Sequence, residues 1–120
     1  MSFKIQKKDK YVLVKTSVEK LDTTVAPSLK SELVVLNSDG VQNIIIDLSA
    51  TRYCDSSGLS AILVANRLCK NAGGCLVITG LQDPVKNLIS ISQLDSILNI
   101  ADTLEDSIDM LKEKVTGTEE

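Results

Sequence analysis

Two serine hydroxyls beside an aspartate are the side chains of this 120-residue chain whose spacing could support chemistry. They form the segment Asp55-Ser56-Ser57-Gly58, which follows the aliphatic run 44–46 and precedes a helical pattern. We expect the serines to lie where that helix begins, because unpaired backbone N–H groups and the positive end of the helix dipole meet there. A serine in this position can carry a phosphate, which adds about −1.5 to −2 charges at neutral pH.

The same four residues are also typical of a helix N-cap, a purely structural role. A Ser-His-Asp triad is excluded, because the chain contains no histidine that could act as the base, and this disfavours serine hydrolysis. The Gly-x-Ser-x-Gly frame of a nucleophile elbow fails as well, since Cys54 stands two residues before Ser56. The residues alone leave a cap and a phosphorylation site open, and they do not separate Ser56 from Ser57.

The composition argues against an enzyme, a metalloprotein and a nucleic-acid-binding protein. Without histidine there is no His-ligated metal site, and Cys54, Cys69 and Cys75 contain no C-x-x-C pair. Aromatic residues make up 2% of the chain and its net charge is −3, which disfavours base stacking and phosphate-backbone contacts. We therefore expect no cofactor, no metal and no nucleic acid partner.

The cysteines and the N-terminus indicate the compartment. An odd number of cysteines is unusual for a secreted disulfide framework, so we interpret them as small core residues in a reducing environment. The N-terminal segment carries lysines and no apolar signal core, and no apolar run approaches the roughly 18 residues of a membrane span. These features predict a cytoplasmic protein without direct membrane insertion.

Hydrophobic periodicity predicts an α/β fold with a single mixed, mainly parallel sheet in one domain over residues 1–120. Helices are expected to start at Ala26, near Ser57 and at Asp83, with Thr103 capping a last one. Alternating strands and helices imply parallel pairing, with an N-terminal hairpin strand antiparallel at one edge. The tail 116–120 is expected to fray. Strands are predicted at 3–6, 11–14, 43–48, 75–79 and 97–100.

Three loops fall at the carboxyl ends of the predicted parallel strands, where function gathers in open α/β sheets. They span residues 21–26, 49–58 and 80–84. Asp22 and Asp83 are expected to cap the helices that follow them, and Asp47 is expected to close the central strand. The middle loop carries the two serines and is the predicted functional loop.

The segment 44–49 followed by Tyr53-Cys54-Asp55-Ser56-Ser57-Gly58-Leu59 closely resembles the signature of STAS domains, above all that of bacterial anti-sigma factor antagonists. The segments 21–29, 73–81 and 85–105 resemble further parts of the family pattern, so the resemblance spans nearly the whole chain. One departure is Cys54, where many members have a bulky apolar residue such as Met or Ile. The resemblance implies the STAS fold.

The resemblance also implies a partner-switching function. In the family, an anti-sigma factor that is also a serine kinase phosphorylates the first loop serine, here Ser56. Phosphorylation releases the antagonist, and a PP2C-type phosphatase resets the cycle. STAS domains also serve as accessory subunits of membrane transport or lipid-handling assemblies, so a scaffold without phosphate control is the alternative. The resemblance implies partner-binding roles for Asp22, Thr23, Asp55, Ser57, Gly58 and Leu59.

Overall fold

The computed structural model describes the backbone of residues 3–119 and the side chains of residues 3–113. The helices are α1 (Ala26–Ser38), α2 (Ser56–Asn71), α3 (Asp83–Ile91) and α4 (Leu104–Glu119), with a short 3-10 helix at Leu94–Ser96. The strands are β1 (Phe3–Lys7), β2 (Val12–Thr16), β3 (Lys20–Leu21), β4 (Ile44–Asp47), β5 (Tyr53–Cys54), β6 (Leu76–Thr79) and β7 (Asn99–Ala101).

The main sheet has the strand order β1-β2-β4-β6-β7. Strand β1 pairs with β2 in antiparallel fashion, whereas β2, β4, β6 and β7 are all parallel. The predicted mixed, mainly parallel sheet with an antiparallel edge strand is therefore confirmed. Because the four parallel strands point the same way, their carboxyl ends bring the following loops to one edge of the sheet.

Helices cover both faces of the sheet, as its aliphatic strands require. Within β4, Ile44 and Ile46 pack into a core shared with α1, α2 and α3, while Ile45 packs into a second core closed by Leu111 of α4. This alternation follows from the two-residue period of a strand. The sheet is thus covered on both faces, and α1 and α2 lie on the same side of it.

Most strand ends agree with the predictions to within two residues, but the last strand is displaced and two short strands were missed. The last strand is Asn99–Ala101 instead of 97–100, because residues 94–96 form the 3-10 helix. The strands β3 and β5 were missed, since a strand of two residues shows no detectable hydrophobic period.

The predicted cap of the last helix at Thr103 is confirmed: its Oγ1 accepts the Asp106 N–H at 3.1 Å. The frayed tail at 116–120 stays a prediction, because side chains beyond Glu113 and all of Glu120 lie outside the described residues, although α4 extends to Glu119.

Candidate functional site

A two-stranded parallel sheet ties the two loops of the candidate site together. It consists of β3 and β5, with Leu21 opposite Cys54. The Asp55 N–H continues the pairing by donating to the Leu21 carbonyl at 3.3 Å. Residues that follow Leu21 are therefore held beside residues that follow Cys54, and the loop before α1 meets the start of α2.

Asp55 fixes the first turn of α2. It is the N-cap, and its Oδ1 accepts hydrogen bonds from the N–H groups of Ser57 (2.9 Å) and Gly58 (3.1 Å). Ser56 is the first helical residue, one position earlier than predicted. The structural interpretation of the loop is thus confirmed, and it is compatible with phosphorylation. The carboxylate already uses two of the N–H groups that could otherwise receive a phosphate.

Gly58 holds this turn against β3. A Cβ at this position would lie 2.4 Å from the Leu21 carbonyl oxygen and 2.6 Å from the Cys54 Sγ. Only glycine therefore permits the observed approach of the two backbones. Gly58 is buried, and the Leu59 side chain is only 6% exposed. Both residues support the loop from below, and neither residue lies on its surface.

The side chains that face solvent surround a groove between the first turns of α1 and α2, which we call the α1–α2 groove. Asp55 and Ser56 are exposed, and Ser57 is half-buried. The groove has a volume of about 460 Å³ and is lined by Thr23, Ala26, Pro27, Lys30, Ser56, Ser57 and Ser60.

The fold therefore brings three of the predicted site residues, Thr23, Ser56 and Ser57, to one groove. Lys30 and Ser60 were not predicted. Helical spacing could have indicated both residues. Lys30 lies four residues after Ala26, so these two share one face of α1. Ser60 lies four residues after Ser56, so these two share one face of α2. The pairing of those two faces depends on helix packing and could not be read from the chain.

The prediction that Asp22 caps α1 is wrong. The N-cap is Val25, without a side-chain hydrogen bond. Asp22 Oδ1 instead accepts the Thr24 N–H (3.0 Å) and the Thr24 hydroxyl (2.6 Å). These hydrogen bonds lower the pKa of Asp22 below its ordinary value of 3.8, the hydroxyl contributing most. Asp22 shapes the loop through a local turn, in which its carbonyl accepts the N–H groups of Val25 and Ala26.

The other two aspartates have separate positions. Asp83 was predicted as a cap, but it lies in the first turn of α3, whose N-cap Gln82 makes no side-chain cap hydrogen bond. This prediction is also wrong, because the helix starts one residue earlier than the cap assignment requires. Asp47 ends β4, and its Oδ1 accepts the Ser49 N–H at 2.9 Å. Its interpretation as the residue that closes the central strand is confirmed.

Cys54 lies under the loop and contributes packing. Burial, and next the nearby Asp55 carboxylate, raise the pKa of its thiol to about 12. The reactive thiolate is therefore strongly disfavoured at neutral pH. Among the described side chains, no cluster of three or more histidine, cysteine, aspartate or glutamate residues is arranged to hold a metal ion. In the same part of the chain, no helix has both the length and the apolar character needed to cross a membrane.

Comparison with known proteins gives relatives of similar length and fold. An anti-sigma-B factor antagonist of Staphylococcus aureus is 28% identical over 97 residues, which cover 81% of this chain and 89% of the relative. The unphosphorylated anti-sigma factor antagonist SpoIIAA superposes with a TM-score of 0.78 at 19% identity, over 92% of this chain and 96% of that chain. A phosphorylated form of SpoIIAA, from Bacillus, is also known.

A similar fold also occurs in a protein of a transporter family. A sulfate transporter family protein from Wolinella succinogenes superposes with a TM-score of 0.74 at 18% identity, over 87% of this chain and 86% of that chain. The sequence model of the STAS domain matches residues 2–107, which include the whole sheet and both walls of the α1–α2 groove. This protein therefore belongs to the STAS domain family.

Proposed function

We propose that this protein is an anti-sigma factor antagonist, which binds an anti-sigma factor through the α1–α2 groove until Ser56 is phosphorylated. One observation carries the proposal: the Ser56 side chain is exposed at the first position of α2 and forms part of the groove wall. The similarity to the Staphylococcus aureus antagonist over most of both chains supports the same role.

The docking face consists of the exposed residues around the groove. Thr23, Asp55 and Ser56 present polar side chains to solvent, and Ser57 is half-buried beside them. Gly58 and Leu59 act from below, by keeping α2 against β3. Because side-chain and backbone bonds fix the start of α2, the part of the docking face on α2 is preorganised, which lowers the entropic cost of binding.

Phosphorylation would change the charge of this face without changing the fold. The Ser56 side chain lies at the surface, so a phosphate can be added without displacing a core residue. The Asp55 carboxylate occupies the N–H groups of Ser57 and Gly58, so the helix start offers the phosphate little compensation. The added charge of about −1.5 to −2 therefore acts mainly on whatever is docked there. A partner shaped for a neutral serine would be repelled.

The reaction requires an enzyme as partner. In the proposed cycle the Ser56 oxygen bonds to the γ-phosphorus of ATP, the bond from that phosphorus to the ADP oxygen breaks, and the serine proton passes to a base. The chain has no histidine, so we assign that base to the kinase, which the proposal identifies with the anti-sigma factor. A PP2C-type phosphatase then transfers the phosphoryl group to water and restores the serine.

Phosphate mapping tests the assignment of Ser56. The protein, Ser56→Ala and Ser57→Ala are each incubated with the candidate anti-sigma kinase and ATP, and the products are analysed by mass spectrometry. We expect one phosphate on the protein and on Ser57→Ala, and none on Ser56→Ala. Phosphate on Ser57 in the unchanged protein, or no phosphate with an active kinase that binds it, would contradict the proposal.

A second candidate function is that of an accessory subunit in a transport or lipid-handling assembly. The superposition on the sulfate transporter family protein favours keeping it, because the fold alone does not separate the two roles. In that role the groove would bind its partner regardless of the state of Ser56. Equal partner affinity before and after phosphorylation would favour the accessory role over the switch.

A further inference from the structure

Lys30 occupies an unusual position in the α1–α2 groove. It lies in the second turn of α1 and is half-buried. It is the only charged residue among those that line the groove, which it shares with Ser56, Ser57 and Thr23. Partial burial of a lysine stem leaves the ammonium group at the groove surface, where it can meet an anion.

The charge of Lys30 has no acidic partner among the described side chains. In this part of the chain the one ion pair joins Arg52 to Glu19 at 3.5 Å, outside the groove. The first turn of α1 likewise contains no acidic residue, and its N-cap makes no side-chain bond. On the α1 side the groove therefore combines an unpaired cation with the positive end of a helix dipole. The Asp55 carboxylate caps α2 next to Ser56 and does not line the groove.

We propose that Lys30 is the positioning residue for the phosphate of phosphorylated Ser56. This inference rests on the proposed function, since it needs a phosphate on that serine. The phosphate is repelled by the neighbouring Asp55 carboxylate and attracted by Lys30 across the groove, so it turns into the groove. The modified side chain then fills the space in which the partner would dock. The added charge and the filled groove together favour the phosphorylated protein without a bound partner.

A phosphate titration tests the role of Lys30 without any kinase. Phosphoserine is incorporated at position 56 during translation, and its second pKa, ordinarily about 6, is followed by phosphorus NMR at low ionic strength. A nearby cation favours the dianion and lowers this pKa. We expect Lys30→Met to raise the second pKa by about 0.4, and Lys30→Arg to leave it within about 0.1, because the charge is kept.

Lys70→Met is the matched control. Lys70 is exposed near the end of α2, about 21 Å along the helix from Ser56 at 1.5 Å per residue. It changes the net charge equally, so it should leave the phosphate pKa unchanged. Equal pKa values in Lys30→Met and Lys70→Met would overturn the inference, even if kinase mapping supports Ser56. A shift specific to Lys30→Met supports it, even if no kinase modifies that serine.

Discussion

The two helix starts that border the α1–α2 groove are built in different ways. The start of α2 is held by the Asp55 side chain, by a backbone bond to β3 and by the close packing of Gly58. The start of α1 has no side-chain cap and depends on backbone bonds to the Asp22 carbonyl. The serine of the proposed switch thus lies on the rigid side. We call the loop before α1 the adaptable side, and we expect α2 to present Ser56 in one geometry while this loop adjusts to a partner.

Substitution of Gly58 is expected to destabilise the start of α2 most, because this glycine packs closely against β3. Gly58→Ala would place a methyl group 2.4 Å from the Leu21 carbonyl oxygen, which forces α2 away from β3. We expect a loss of about 3 kcal/mol in the free energy of unfolding, measured by urea denaturation. Gly40→Ala is the control: Gly40 has φ +89 and nothing within 4 Å of the added Cβ, so about 1 kcal/mol is expected. Equal losses would refute the packing argument.

The Asp55 cap is the next feature to remove. Asp55→Ala leaves the N–H groups of Ser57 and Gly58 without their acceptor, so we expect a loss of about 1 kcal/mol in thermal or urea unfolding. Asp55→Asn should retain most of the stability, because an amide oxygen also caps. Asp22→Ala breaks only an exposed turn on the adaptable side and should cost less. A larger loss for Asp22→Ala would reverse the comparison.

The smallest expected effect is a pH dependence of stability that comes from Asp22 in the loop before α1. The Thr24 hydroxyl is the main cause of the lowered pKa of Asp22, so Thr24→Val should raise that pKa toward 3.8 in a carboxyl NMR titration. Since the pKa is lower in the folded protein, the turn is fully stabilised above the unfolded pKa and loses this contribution as the pH falls through the folded value. Thr23→Val, which leaves the bond intact, should leave the titration unchanged. An Asp22 pKa that is insensitive to Thr24→Val would contradict the assigned cause.

The sequence predicts the main sheet and the start of α2 because their signals are local. The unbroken run Ile44–Ile46 marks a central strand, and Asp55 is a residue type that caps helices. The strands β3 and β5 are too short for any period, so the contact that joins both loops was invisible. Asp22 was misassigned because its carboxylate bonds Thr24, two residues on, instead of the first turn of α1. Asx turns and N-caps use the same residue types.

The α1–α2 groove likewise could not be predicted from local sequence patterns, because it depends on tertiary packing. Ser56 could be placed from its own segment, but Lys30 belongs to another helix, and only the packing of α1 on α2 brings them to one surface. The need for glycine at position 58 likewise arises from a neighbouring strand. The sequence therefore located the loop of the proposed phosphorylation site, while the electrostatic surroundings of Ser56 required the fold.

The most direct test of the switch is the affinity of the anti-sigma factor for two forms of this protein, one with serine and one with phosphoserine incorporated at position 56. Phosphoserine incorporated at the exposed Ser92, the C-cap residue that follows α3, is the control for added charge. By calorimetry, we expect the modification at position 56 to weaken binding about 100-fold, or about 2.7 kcal/mol, and that at position 92 to leave binding unchanged. Equal affinities of the serine and phosphoserine forms at position 56 would contradict the account.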